Sequence, residues 1–136
     1  MIDGALEIWL KQYIADNGGV AGTVHVRQGE DLQLGAAVNI PPIVVQKVQR
    51  VPRGKGMAGL ALERDAPVQT CNLKEDATGD VRPGAKAVNA NAAAAIPIHD
   101  PAGHVRGIVG IAFMQEREID AEEMERLKKA AENAPV

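Results

Sequence analysis

The chain has 136 residues with only three aromatic rings, so we expect a single domain, residues 1–136, with an aliphatic core. Its net charge of −3 comes with dispersed lysines and arginines, so it lacks the basic stripe that neutralises nucleic-acid phosphates. No apolar run approaches membrane-spanning length, the first residues lack the features of a secretory signal, and the lone Cys71 cannot form an internal disulfide, which together predict a cytoplasmic protein that binds neither membrane nor nucleic acid.

The N-terminal segment has the pattern of an amphipathic helix that ends at Asn17-Gly18-Gly19. The apolar residues that recur at helical spacing are Ile2, Leu6, Trp9 and Tyr13. Leu10 and Ile14 widen this stripe beyond what one contact uses. We expect Leu6, Trp9 and Tyr13 to pack on a sheet. Ile2, Leu10 and Ile14 would remain for a second copy of the chain, giving a homodimer paired through the terminal helices.

The middle of the chain is predicted to form a hairpin and a short helix. Residues 22–27 and 32–38 flank the turn Gly29-Glu30-Asp31, which is typical of two antiparallel strands. Residues 43–49 form a short apolar segment that suits a helix. Residues 51–68 then predict a glycine-hinged turn, a short amphipathic helix, a break and the start of a strand that runs to residue 73.

The second half is predicted to contain a long polar connection, another hairpin and a final helix. The connection, residues 74–91, is rich in Asp, Gly, Ala and Asn, and long connections inside compact domains are usually functional or mobile. Strands are expected over 94–98 and 105–113, around the turn Asp100-Pro101-Ala102-Gly103. Asp120 and Glu123 form a capping box at the start of the last helix.

The segment over residues 51–68, together with the hairpin over 94–113, resembles the corresponding parts of a GAF domain, a small sensor module, and the element order extends this resemblance over nearly the whole chain. The resemblance implies an α+β fold: an antiparallel sheet with the N- and C-terminal helices on one face and a ligand pocket on the other.

The stretch Gly54-Lys55-Gly56-Met57-Ala58-Gly59 matches the dinucleotide-binding pattern G-x-G-x-x-G. No buried apolar strand precedes its first glycine, and the chain is too short for a doubly wound sheet, so we interpret the glycines as structural. They allow the chain to turn and the helix to approach the sheet. The start of that helix could still hold an anion through free amides, helped by Arg53 and Lys55.

Six residues are candidates for ligand binding: Met57, Cys71, Asn89, Asn91, Ala93 and Ala95. If Ala94 and its alternate neighbours face one side of a strand, Ala93 and Ala95 face the other, which in a GAF arrangement borders the pocket. Small residues there would leave space, and the asparagine amides could orient a polar ligand. Two alternatives stay open: the alanines could let a helix approach closely, and Cys71 could be a core residue.

An enzymatic alternative is free methionine-R-sulfoxide reductase, which has a GAF fold. Its pattern places a cysteine where this chain has Ala58, its catalytic cysteine near Lys86 and an acidic residue near Ala93. Attack on a sulfoxide needs one thiolate, and a second thiol to resolve the product. A chain with one cysteine in another place is therefore not expected to be this enzyme.

The histidines do not predict a metal site. His99 and His104 flank the second hairpin turn, but neither a carboxylate nor a cysteine is positioned to complete a site, so we expect solvated hairpin residues. His25 alternates with Val24 and Val26 and should face away from the surface that they cover.

The function predicted from the sequence is a non-catalytic, small-molecule-sensing GAF domain, with residues 72–91 as a lid. No cofactor can be named. The alternative is a ligand-free GAF scaffold for dimerisation or protein interaction. A reductase ranks third.

Overall fold

A computed structural model describes residues 4–70, 92–115 and 118–136. The helices are α1 (Gly4–Asp16), α2 (Pro42–Lys47), α3 (Gly56–Arg64) and α4 (Ala121–Ala131). The strands are β1 (Ala21–Gln28), β2 (Asp31–Val38), β3 (Arg50–Pro52), β4 (Val68–Thr70), β5 (Ala92–His99) and β6 (Val105–Phe113). They form one antiparallel sheet in the order β3-β2-β1-β6-β5-β4. The predicted α+β fold and its two hairpins are thereby confirmed.

One face of the sheet packs against the terminal helices. Alternate residues of β5, namely Ala94, Ile96 and Ile98, belong to this core, as strand alternation predicts. Tyr13 of α1 joins the two helices by donating its hydroxyl to the carbonyl of Leu127 in α4 at 2.9 Å. Burial raises the pKa of Tyr13, which keeps this donor protonated.

The opposite face carries α3 and a second, smaller core. Ala61 and Leu62 of α3 pack there with Leu32, Val68 and Ile108 of the sheet. Ala93, Ala21 and Ala112 form a third cluster beside Met57. Because this face of β5 carries Ala93 and Ala95 where the helix face carries Ile96 and Ile98, it has less side-chain volume at this point to fill the space under its covering elements.

The residues predicted to form a dimer surface on α1 are buried in the core instead. Leu10 is 0% exposed and Ile14 is buried with it, both within the core under the terminal helices. Ile2 lies outside the described residues. The helix buries a wide stripe because α1 lies against both the sheet and α4. Ile8, 73% exposed, is the large apolar side chain that α1 leaves in solvent within the described chain. Pairing through the terminal helices stays a prediction without Leu10 and Ile14.

The glycine-rich stretch before α3 has the structural roles expected of it. Gly54 and Gly56 have φ angles of 82° and 65°, which residues with a Cβ rarely adopt. Gly59 lies so close to the preceding chain that an added Cβ would be 2.5 Å from the Pro52 carbonyl oxygen. The three glycines therefore allow a tight turn that packs closely against the first turn of α3. Among the helices of the described ranges, none has the length and apolar character needed to cross a bilayer.

A bulge in β2 changes which residues face the helices. Val24 of β1 pairs with Ala36, and His25 pairs with Leu34, so Gly35 has no partner across the ladder. Ala36 belongs to the core under the terminal helices, whereas Leu32 belongs to the core under α3. The extra residue thus shifts the alternation of β2 halfway along the strand.

His99 is bound rather than solvated, contrary to the sequence prediction. Its Nε2 lies 2.6 Å from Asp65 Oδ1 at the end of α3, and its Nδ1 lies 3.3 Å from Glu132 Oε1, just after α4. The hydrogen bond to Asp65 raises the pKa of His99, with further help from Glu132, against a smaller lowering by partial burial. His104 remains exposed at the hairpin tip, as predicted.

We expect His99→Gln to lower the free energy of unfolding at acidic pH and to change it less at alkaline pH. A raised pKa means that the folded state binds the proton more tightly, so the stabilisation is complete below about pH 6.5 and is lost as pH rises through the folded-state pKa. Because the groups are partly exposed, the effect should stay below about 1 kcal/mol. Urea unfolding at several pH values measures it. His104→Gln is the control, and an equal loss at all pH values would contradict the expectation.

Candidate ligand-binding cavity

A cavity of about 170 Å³ lies on the sheet face opposite the terminal helices. Its floor consists of short segments of β1, β5 and β6, and its walls consist of α2, β3 and the first turn of α3. It is smaller than the roughly 300–1,000 Å³ pockets that hold drug-sized molecules and suits a small metabolite.

The cavity exists because its floor is built from the smallest residues. They are Ala93, Ala95, Gly110 and Ala112. These four positions come from β5 and β6, and they pair across the ladder as Ala93 with Ala112 and Ala95 with Gly110. Strands that present glycine and alanine cannot fill the space below α2 and α3. From above, α2 lines this space with Val44 and α3 lines it with Met57. The same alternation that fills the helix face with larger aliphatic residues leaves this face hollow.

His25 is the buried polar residue of the lining. It is 3% exposed, and its Nε2 lies 2.9 Å from the carbonyl oxygen of Val48, at the end of α2. A carbonyl only accepts, so Nε2 carries the proton and Nδ1 has a free lone pair. Within the described part of the chain, nothing bonds Nδ1. Burial lowers the pKa of His25 more than the bond to Val48 raises it, so the ring stays neutral.

Positive charge lies around the mouth of the cavity. The three exposed cations of the lining are Lys47, Arg50 and Lys55, and no acidic residue lines the cavity within the ranges 4–70, 92–115 and 118–136. Arg50 is paired with Asp31 through a charged hydrogen bond. Neither lysine has a carboxylate within salt-bridge distance among the described residues.

The start of α3 borders the same cavity. Lys55, Gly56, Met57 and Ala58 all line it. The first amides of a helix have no intrahelical partner, and the Lys55 side chain does not cap them. Arg53, which the sequence suggested as a helper here, instead pairs with Glu30 at 3.0 Å. Lys55 alone of that pair therefore belongs to the site.

Three of the six predicted ligand-binding residues, Met57, Ala93 and Ala95, line this cavity. The other three, Cys71, Asn89 and Asn91, lie outside the described residues, as does the predicted lid, residues 72–91. Sequence reasoning missed His25 as a site residue, although strand alternation already set it apart from Val24 and Val26. The available signal was its position two residues after Thr23, which places both polar residues on the strand face that borders the cavity.

The arrangement is that of an α+β domain with a curled, six-stranded antiparallel sheet covered by helices on both faces. The sequence matches the family model of the GAF domain over residues 3–134, and the chain belongs to the GAF domain family. No protein of curated function matches the sequence significantly.

Solved structures support the same fold. The GAF domain of an Acinetobacter phosphoenolpyruvate-protein phosphotransferase is similar with a TM-score of 0.72 and 15% identity, over 95% of this chain and 78% of that one. The nlh2 GAF domain of A. aeolicus, in an inactive state, has a TM-score of 0.67 and 20% identity, over 97% and 80%. A type II free methionine-R-sulfoxide reductase from Thermoplasma acidophilum is similar with a TM-score of 0.64 and 16% identity, over 93% of this chain and 89% of that one. At these identities the likeness concerns the fold alone.

Proposed function

We propose that this GAF domain is a sensory module that binds a small molecule in the cavity without transforming it. The observation that carries the proposal is the combination of a floor built from alanine and glycine with a mouth that carries the exposed cations Lys47, Arg50 and Lys55. Ligand sites are commonly apolar cavities with a few placed polar groups. An empty cavity lowers stability because the atoms that line it lose packing contacts, and a bound molecule would restore those contacts.

The lining supports binding rather than catalysis. Ala58 replaces the first cysteine of the reductase pattern and contributes only a methyl group to the wall. The described lining has one hydroxyl, on Thr23, and one imidazole, on His25. Nε2 of His25 bonds the Val48 carbonyl, and among the described residues no carboxylate orients the ring as in a Ser-His-Asp triad.

We expect Ala93→Leu to abolish small-molecule binding while leaving the fold intact. Ala93 lies on the cavity floor, and a leucine side chain would occupy much of the space that a ligand needs. Native mass spectrometry of the purified protein, after incubation with a metabolite extract, detects retained molecules and shows whether their masses change. Ala102→Leu, at the exposed hairpin turn, is the matched control and should bind as the original chain does.

Retention of one molecule at unchanged mass, lost only in Ala93→Leu, supports a sensory function. Conversion of the bound molecule, including reduction of methionine sulfoxide, would contradict the non-catalytic proposal. If nothing is retained by the original chain, the ligand-free scaffold is the better account.

A further inference from the structure

The side chain of His99 connects three elements of the fold. His99 is the last residue of β5, and its Nε2 lies 2.6 Å from Oδ1 of Asp65, the residue directly after α3. On its other side, Nδ1 lies 3.3 Å from Oε1 of Glu132, the residue directly after α4. Helix α3 packs on the cavity face of the sheet, and α4 packs on the opposite face. The imidazole therefore bridges the ends of two helices that lie on opposite faces of the sheet.

This bridge is complete only when His99 is protonated. An ionised carboxylate has acceptors only, whereas a neutral imidazole has one N–H donor and one lone pair. A neutral ring can therefore donate to Asp65 or to Glu132, and its second nitrogen then points a lone pair at the other carboxylate. The imidazolium form has a donor on both nitrogens and carries the charge that both carboxylates attract.

The charged groups around His99 favour the protonated form. The hydrogen bond to Asp65 raises the pKa of His99 most, partial burial lowers it, and Glu132 raises it further. The neighbouring Asp100 uses its carboxylate on backbone amides of the hairpin turn. Arg106 of β6 donates to the backbone carbonyl of Glu132 and so adds a second tie to the end of α4. Within the described chain, Asp65 and Glu132 are thus the charged groups that hold the proton on the imidazole.

We propose that His99 is a proton-dependent link between α3, which lines the cavity, and the terminal helix α4. When the imidazole is protonated, it holds the ends of both helices against β5, and loss of the proton removes the side-chain bond to one of them. The first turn of α3 and two alanines of β5 border the cavity, so the link joins elements of the candidate site to the helix layer on the other face. This inference goes beyond the proposed sensory function and does not depend on which molecule the cavity binds.

Proton titration and amide exchange of the full chain, both followed by NMR, test the link. The reporters are the amides of Ala66 and Asn133, which directly follow Asp65 and Glu132 and donate to carbonyls of α3 and α4. Their protection is corrected for the exchange rate of unstructured amides. It should be greatest below about pH 6.5, because a raised pKa means that the folded state binds the proton more tightly. It should fall about two- to fivefold as pH rises through the folded-state pKa of His99, the range expected for partly exposed ion pairs.

Asp65→Asn tests whether the two contacts are coupled. Asparagine tolerates the left-handed backbone of this residue, whose φ is 49°, so the fold should persist, and thermal unfolding checks it. Loss of the Asp65 charge should lower the pKa of His99. The midpoint of Asn133 protection should then move to lower pH by the same amount, although the substitution lies at the end of the other helix. Glu132→Gln should likewise move the midpoint of Ala66.

Two histidine variants serve as controls. His99→Gln should remove the pH dependence of both reporter amides, and His104→Gln, at the exposed tip of the same hairpin, should leave it unchanged. An Asn133 midpoint that stays in place while Asp65→Asn lowers the pKa of His99 would show two independent contacts and would overturn the link. Equal pH dependence in His99→Gln would overturn it as well. A His99 pKa that falls in neither carboxylate variant would show that the bridge does not form in solution.

Discussion

Leu10→Ala should lower the free energy of unfolding by about 2–5 kcal/mol. Leu10 is 0% exposed and packs within the core between the sheet and the terminal helices, so its removal leaves a cavity that the surrounding strands cannot close. Chemical denaturation monitored by circular dichroism measures the loss.

Ile8→Ala is the matched control, because Ile8 lies on the same helix and is 73% exposed. It should change stability by no more than about 0.5 kcal/mol. Sedimentation of both variants separates the core from a dimer surface. If Leu10→Ala left the unfolding free energy unchanged but dissociated a dimer, Leu10 would belong to an interface after all.

Gly59→Ala should destabilise the chain by about 1–3 kcal/mol. The new Cβ would lie 2.5 Å from the Pro52 carbonyl oxygen and 3.1 Å from the Gly54 amide nitrogen. Both are backbone atoms of the turn that leads into α3, and neither can move freely, since the Pro52 carbonyl accepts from Lys55 N and the Gly54 amide donates to Gly59 O. Alanine gains up to about 1 kcal/mol in helix propensity, which is too little to offset this clash.

Gly4→Ala serves as the comparison, because nothing lies within 4 Å of a Cβ added there. Its stability should stay equal or rise slightly. Thermal and urea unfolding of the two variants decide the matter. Equal stability in Gly59→Ala would mean that the turn before α3 adjusts without cost, and that the glycine is there for another reason.

The fold was predictable where local patterns and long-range packing agree. The apolar spacing of α1, the turn at Gly29 and the Asp120 cap are local signals, and Asp120 indeed accepts from the Glu123 amide at 2.8 Å. Strand β3 was missed because three residues ending in Pro52 carry no alternation of their own. It pairs only because β2 is already in place beside it.

The site was only partly predictable because its key properties depend on partners distant in sequence. Alternation places Ala93 and Ala95 together, but the free lone pair of His25 depends on Val48, 23 residues away. Likewise, Arg53 and Lys55 look equivalent in the sequence. Only the fold brings Glu30 against Arg53, which leaves Lys55 at the cavity mouth. No pattern in the sequence indicates which side of α1 faces α4.

The shortness of β3 has a consequence for how copies of this domain can meet. An outer strand with a long row of free amides and carbonyls invites a neighbouring molecule to continue the sheet, the first step toward amyloid-like aggregates. Here the outer strand has three residues, one of them Pro52, which has no amide to offer, and the exposed Arg50 adds charge. We therefore expect association at this end to avoid strand addition, leaving helices and hairpin tips as the available surfaces.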